Sequence, residues 1–129
     1  MPKRKTPETT LETQPIEITL ETETQTLRNN LDNLKNKEGV IGYILRNSKS
    51  ASIDLKDPTK IIDYAIISST AHETGENLSK IFNLGGIQKI LMEGENTKIL
   101  TLRIGENQLS IFLEKTVDPE KILQETKLT

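Results

Sequence analysis

The stretch that most constrains the fold of this chain is residues 87–115, where two turn signals divide a β-rich segment into three strands. The triplet Gly-Glu-Asn occurs at residues 94–96 and again at residues 105–107. Glycine adopts positive φ at no steric cost, and asparagine tolerates it or bonds its own backbone, which is what tight hairpin connections require. The segment therefore predicts a three-stranded antiparallel meander.

This meander carries apolar side chains on both of its faces. One face receives Leu100, Leu102, Ile104, Leu109, Ile111 and Leu113, and the other receives Ile90, Met92, Ile99 and Phe112. Successive side chains of a strand point to opposite faces, so a sheet that is apolar on both faces needs a helical layer on each. No catalytic group stands out in the segment, and we interpret it as a scaffold.

Composition places most of the chain in one domain and its first residues outside it. The chain has 129 residues, about the size of a single domain. Residues 1–24 are rich in Thr, Glu and Pro and predict a flexible tail, which leaves residues 25–129 as the domain. Within the tail, Ile16, Ile18 and Leu20 alternate with polar residues, so an added strand or a docking segment is the alternative interpretation.

Charge and residue usage argue against several classes of function. A net charge of -2 gives no sustained positive field, so nucleic acid is not an expected partner. With no cysteine and one histidine, the chain lacks a disulfide, a thiolate nucleophile and the common zinc frameworks, which suits a cytoplasmic protein. No run approaches the roughly 20 apolar residues of a membrane span, so direct membrane insertion is not expected.

The first half of the domain predicts one helix and two strands. Leu27, Leu31 and Leu34 form one stripe of an amphipathic helix over about residues 25–37. Residues 40–45 are a nearly continuous apolar run and predict a central strand, whereas residues 51–55 are more polar and predict an edge strand.

A long helix is predicted between residues 58 and 83. Asp57 is a cap residue and Pro58 suits the first helical position, and the same pair at residues 118–119 starts a short C-terminal helix. The glycines at 85–86 predict a glycine C-cap. Small residues in the middle of the helix would let a helix from a second copy pack closely, although a break at Gly75 is an alternative.

The resulting order of elements, αββαβββα, resembles the roadblock/dynein light chain family over about residues 25–129. The likeness rests on residues 38–44, where a Gly-Val pair opens the first strand, on the long helix closed by residues 84–86, and on the ending at residues 109–115. It implies an α+β, roadblock/longin-like fold. One long helix would lie on one face of a five-stranded antiparallel sheet, and the N- and C-terminal helices would lie on the other.

The resemblance also implies a mode of assembly. Members of the family form dimers by pairing the strand that corresponds to residues 87–93 with its copy and by packing the two long helices antiparallel. Such dimers act as platforms for small Ras-like GTPases or as adaptors in motor and signalling assemblies. The residues that we predict at the dimer interface are Ser69, Ala71, His72, Ile87, Lys89 and Leu91. For the surface that binds another protein we predict Lys60, Asp63, Ile67 and Thr70.

Two chemical alternatives are weaker than these packing interpretations. His72 has Ser68, Ser69 and Glu76 nearby in sequence, but no strained turn presents a serine and no oxyanion donors are indicated, so we expect no catalytic site. The carboxylates Asp54, Asp57 and Asp63 lack the spacing of a calcium loop, and we expect no metal site and no cofactor.

The sequence therefore predicts a non-catalytic homodimeric interaction module, a scaffold or regulator of a small Ras-like GTPase. Two other classes stay open at this stage. One is a purely structural subunit of a larger assembly, and the other is a small-molecule sensing domain, since mixed sheets covered by helices also form pockets.

Overall fold

The computed structural model describes residues 25–128, and its elements follow the predicted order. Helix α1 covers residues 25–35, and the elements after it are β1 (Val40–Arg46), β2 (Ala51–Leu55), α2 (Ile61–Phe82), β3 (Lys89–Glu93), β4 (Thr97–Ile104), β5 (Asn107–Glu114) and α3 (Pro119–Thr126). The predicted tail, with its alternating residues Ile16, Ile18 and Leu20, lies outside the described residues.

The five strands form one antiparallel sheet in the order β2-β1-β5-β4-β3. Strands β2 and β3 are its two edges, as the polar composition of β2 and the proposed pairing role of β3 led us to expect. The predicted class is confirmed: α2 covers one face of the sheet, while α1 and α3 cover the other.

The main hydrophobic core lies between the sheet and the pair α1 and α3. It contains Leu31, Leu34, Val40, Tyr43, Leu100, Leu102, Leu109, Ile111, Leu113, Ile122, Leu123 and Leu128. The alternate apolar residues of β4 and β5 that were predicted to share one face, from Leu100 to Leu113, point to this face, as their period of two predicts. This core fixes the sheet, and the sheet in turn positions α2.

The opposite face of the sheet, under α2, is less apolar at its centre. The rings of Tyr64 and Phe112 stack with their centroids 4.4 Å apart. Next to them, the buried hydroxyls of Ser68 and Ser110 lie 2.6 Å apart, and Thr101 Oγ1 lies 3.1 Å from Ser110 Oγ. Short side chains at these positions bring the helix backbone close to the sheet, and the shared hydrogen bonds satisfy the buried hydroxyls.

Helix α2 is continuous through Gly75, so the alternative of a break at this position is wrong. Its 22 residues span about 33 Å. A Cβ at Gly75 would meet Cδ1 of Ile90 on β3, so the end of the Ile90 side chain would have to shift to admit a larger residue. The glycine allows close packing between helix and strand within one chain.

Both ends of α2 differ in detail from the prediction. A short 3₁₀ turn (Pro58–Lys60) precedes the α-helix, and Asp57 caps this turn by accepting a hydrogen bond from the Thr59 amide. At the other end the left-handed residue is Asn83, with φ of 55°, and not a glycine. Asparagine tolerates this conformation because its short polar side chain can bond locally.

The buried hydroxyl cluster provides a test of how α2 is held. Replacing Ser110 with alanine is expected to lower the free energy of unfolding by about 1–3 kcal/mol, because the hydroxyls of Ser68 and Thr101 then stay buried without their shared partner. Urea unfolding measures this loss. The exposed residue Ser52 is the matched control, and its alanine variant should change stability by at most about 0.5 kcal/mol. Equal stabilities of both variants would contradict the structural role of the cluster.

Candidate interaction surface

An apolar groove of about 490 Å³ runs between α2 and the chain segment that leads into β3. Its helix side is formed by Ile66, Ile67, Thr70, Ala71, Thr74, Gly75 and Leu78, and its strand side by Leu84, Ile87, Ile90 and Met92. The lining of the groove is almost entirely apolar, and each of the two threonines can contribute a methyl group to it. The groove is therefore suited to contact another apolar surface.

A stripe of apolar and short side chains continues this groove along the outer side of α2. Its members are Ile62, Ile66, Thr70, Thr74, Leu78 and Ile81, spaced three or four residues apart. All six are exposed, which is unusual for isoleucine and leucine in a row. Phe82 and Leu84 extend the exposed apolar area at the C-terminal end of the helix. An apolar strip of this length on one face indicates a surface that packs against a partner.

Strand β3 adds a free backbone edge beside the groove. The amide of Arg103 donates to the carbonyl of Gln88, and the amide of Gly94 donates to the carbonyl of Thr97, at the two ends of the β3–β4 pairing. Because backbone groups alternate in direction along an antiparallel strand, Lys89, Leu91 and Glu93 direct theirs away from β4.

The side chains on this edge are also incompletely covered. Leu91 is 47% exposed, whereas its cross-strand neighbour Leu100 is 1% exposed. An apolar edge strand of this kind is a template for pairing with another strand.

The predicted interface residues fall into two sets in the structure. Ala71 and Ile87 line the groove, while Lys89 and Leu91 lie on the free edge beside it. Ser69 and His72 lie on the opposite flank of α2.

On that opposite flank the two polar residues bond within the chain. Ser69 accepts a hydrogen bond of 2.7 Å from Arg46, and Nε2 of His72 lies 2.6 Å from Nε2 of Gln108. His72 also lies 3.9 Å from the carboxylate of Glu76, which contacts Arg103 at 3.3 Å. This polar cluster fixes the helix to the β4–β5 end of the sheet.

The structure does not bring together the side chains of the serine–histidine site or of the carboxylate metal site that the sequence offered as alternatives. The hydroxyl of Ser68 is bonded to Ser110 and not to His72. Among residues 25–128, no group of three or more metal-ligating side chains comes together. Asp57 is occupied as a cap, and its hydrogen bond with the Thr59 side chain lowers the pKa of its carboxyl below the usual value. In the same part of the chain, no helix has the length and apolar character needed to cross a membrane.

The residues predicted to bind a further partner are split by the structure. Lys60 and Asp63 are exposed at the start of α2, outside the groove. Ile67 and Thr70 line the groove itself, so the two predicted surfaces overlap at these positions. The spacing of Ile62, Ile66 and Leu78 was visible in the sequence, but it indicated only that one helical face is apolar. Which face of α2 contacts the sheet depends on the rotation of the helix about its axis. The sequence pattern did not reveal that rotation.

A different environment surrounds Tyr43, on the α1 side of the sheet. Burial of the ring is the main factor that raises the pKa of its hydroxyl, and the carboxylates of Asp54 and Asp32 add to the effect. These groups belong to the packing of α1, and none of them faces the groove. The groove and the β3 edge are therefore the surface of the described chain with the strongest indication of a partner.

No family model matches the sequence, and no curated protein is significantly similar to it. Solved structures, by contrast, share its architecture. A Roadblock/LC7 domain from Streptomyces avermitilis superposes with a TM-score of 0.63 at 14% identity, covering 77% of this chain and 87% of that one. The gliding protein MglB from Thermus thermophilus superposes with a TM-score of 0.60 at 17% identity, covering 80% of this chain and 82% of that one. The chain therefore has the fold of a roadblock-type domain.

Proposed function

We propose that this protein is a non-catalytic interaction module that forms a homodimer through α2 and β3 and acts as a scaffold or regulator of a small Ras-like GTPase. The proposal places it in the cytoplasm, where such GTPases act. The observation that carries it is the combination of an exposed apolar face on α2 with a free edge on β3, the strand whose Ile90 packs against Gly75 of that helix. Each feature alone favours a partner, and together they favour one that supplies both a helix and a strand.

The sequence of β3 supports a second copy of this chain as that partner. If two β3 strands pair antiparallel about a twofold axis at Leu91, Lys89 of each copy lies opposite Glu93 of the other. The two leucines then cover each other at the centre, and opposite charges flank them on both sides. A strand with this self-complementary pattern, basic at one end and acidic at the other, fits its own copy.

The same axis brings the two α2 helices together. In an antiparallel pair, Ile62 of one copy approaches Ile81 of the other, and the short residues Thr70 and Thr74 lie near the midpoint. Short side chains at a crossing point let helix backbones approach closely, while the larger residues at both ends enclose the contact. Strand pairing and helix pairing are thus compatible with one twofold axis.

The GTPase part of the proposal rests on the resemblance to roadblock proteins and on the surface that a dimer leaves open. Lys60 and Asp63 stay outside the groove at the start of α2, so two copies of this charged pair frame the paired helices. A charged rim around an apolar centre is a common arrangement in protein interfaces. We assign binding of the GTPase to this rim.

Sedimentation equilibrium tests the dimer. At micromolar concentration the full chain is expected to have twice the monomer mass of 14.5 kDa. The variant Leu91→Asp places two carboxylates at the twofold axis and is expected to sediment as a monomer. The variant Leu84→Asp, in the segment between α2 and β3, tests whether that segment is part of the dimer interface. A monomeric wild-type chain would remove the basis of the proposal.

Binding to GTP-loaded and GDP-loaded Ras-like GTPases from the same source tests the functional part. We expect one nucleotide state to bind at least about tenfold more tightly, since a regulator must distinguish the two. Charge reversal at Lys60 and Asp63 should weaken that binding without changing the dimer mass. A dimer indifferent to every GTPase would support the structural alternative, and a saturable thermal shift with a metabolite would support a sensor.

A further inference from the structure

The second free edge of the sheet, β2, is also incompletely covered. Ile53, at the centre of this strand, is 42% exposed, although its cross-strand neighbour Ile44 is only 3% exposed. Both side chains point to the α2 face, and α2 lies over Ile44 but leaves Ile53 open. An exposed isoleucine on a free edge marks a place where one more strand would bury apolar area.

The pairing of β2 with β1 identifies the backbone groups that are free. The amide of Lys56 donates to Ile41, and the amide of Asn47 donates to the carbonyl of Ser50, so these residues form the inward-facing bonds at the two ends of the pair. Alternation along the strand then directs the backbone groups of Ala51, Ile53 and Leu55 outward.

The position of α1 shows where the preceding chain enters the domain. Leu27 and Arg28, near the start of α1, line a cavity of about 570 Å³ together with Asn47 and Ser50 of the β1–β2 turn. At the other end of α1, Lys35 lies 3.7 Å from Asp54 near the end of β2. The chain therefore enters α1 at the end of the sheet where β2 begins.

We propose that residues 16–20 pair antiparallel with the outer edge of β2 as a sixth strand of the sheet. A strand that ends beside Ala51 reaches the start of α1 through residues 21–24, which span up to about 13 Å, and the cavity beside the β1–β2 turn has room for this connection. The direction is fixed by this connection: only a strand antiparallel to β2 finishes at the correct end.

The alternation of the segment selects its register. With Ile18 opposite Ile53, Ile16 faces Leu55 and Leu20 faces Ala51, so the apolar side chains of the segment and of β2 share the α2 face. A shift by one residue would direct them to the opposite, charged side.

The other side of the same register is polar. Glu17 would then lie opposite Asp54, whose carboxylate is 3.7 Å from Lys35 of α1. Like charges directly opposite each other oppose pairing, so the apolar contacts on the α2 face are what favour this register.

A segment of the same chain is a better occupant than a separate molecule. Its connection to α1 is short, so its effective concentration at the edge is in the millimolar range, and no translational entropy is lost on pairing. This inference does not depend on the proposed dimer, because β2 and β3 are opposite edges of the sheet.

Amide hydrogen exchange of the full chain, followed by NMR, tests the sixth strand. The amide of Ile53 is expected to exchange at least about tenfold more slowly than an unstructured amide. The variant Ile18→Pro removes the N–H that would bond to Ile53 and should abolish this protection. The variant Thr10→Pro, in the same tail but outside the segment, should leave it unchanged. The amide of Ser52, which faces β1, is the internal reference and should stay protected in all three proteins.

Three results would overturn the proposal. The first is an Ile53 amide that exchanges as fast as an unstructured one in the wild-type chain, and the second is an Ile53 amide that exchanges as slowly in Ile18→Pro as in wild type. The third is protection that disappears on about hundredfold dilution, because only pairing between molecules depends on concentration. Protection that is independent of concentration and specific to Ile18 would support the assignment to this chain's own segment.

Discussion

Truncation of Phe112 to alanine is expected to lower the free energy of unfolding by about 3–5 kcal/mol, the largest effect on stability that we predict for a single side chain. Phe112 is fully buried on the α2 face of β5 and stacks on Tyr64 at 4.4 Å. The alanine variant loses the transfer free energy of the ring and leaves a cavity under α2, where the neighbouring hydroxyl cluster cannot fill an apolar void. Because this ring connects α2 to the sheet, its loss should also weaken any function of the helix surface.

The only other phenylalanine of the chain provides the matched control. Phe82 is 67% exposed at the end of α2, so Phe82→Ala should change stability by at most about 0.5 kcal/mol. Chemical denaturation at two protein concentrations measures both variants and separates stability of the fold from self-association. A loss of less than about 1 kcal/mol for Phe112→Ala would mean that α2 is not held by this contact.

The parts of the fold that could be predicted are those fixed by local patterns. The period of two in the meander identified which side chains of β4 and β5 enter the core, since a slip of one residue would expose all of them. The Asp-Pro pairs marked the start of both later helices because the cap and the missing amide act within one turn. These signals need no knowledge of tertiary contacts.

The candidate site was harder to predict because it depends on the rotation of one helix over the sheet. Helix α2 has small or polar residues on the flank that contacts the sheet and isoleucines on the outside, the reverse of an ordinary amphipathic helix. Ser69 and His72 were predicted at the interface because they belong to the segment of small residues in the middle of the helix, and in the structure they contact Arg46 and Gln108 of the same chain. The contacts of Ser68 with Ser110 and of Tyr64 with Phe112 show which side faces inward, and both join positions far apart in the chain.

Because the isoleucines of α2 lie on its outer side, we infer that the two faces of the sheet have different roles. The face covered by α1 and α3 carries the hydrophobic core and can hold the fold in a single chain. The α2 face combines one aromatic stack with a hydroxyl cluster and leaves its isoleucines uncovered. Stability on this side is expected to increase with protein concentration if a second copy covers it.

Reversing the charge of Lys89 is expected to weaken self-association by about tenfold to a hundredfold. In the proposed pairing, Lys89→Glu replaces two attractive Lys89–Glu93 contacts with two repulsive ones, and each exposed contact contributes about 0.2–1 kcal/mol. Glu93→Lys should have a similar effect for the same reason. The double variant restores opposite charges across the axis, so its dissociation constant should return to within about threefold of wild type.

This set of variants distinguishes pairing of the two β3 strands from other effects of a changed charge. Lys89 also contacts Glu120 within its own chain at 2.6 Å, and Glu93 contacts Lys98 at 3.6 Å, but these pairs are exposed and should affect stability little. Lys121→Glu, on the exposed side of α3, changes the net charge equally and should leave the dissociation constant unchanged. Sedimentation equilibrium at low salt gives all five constants. If the double variant were weaker than either single variant, β3 would not pair with its copy in the register centred on Leu91, because only that register places residues 89 and 93 opposite each other.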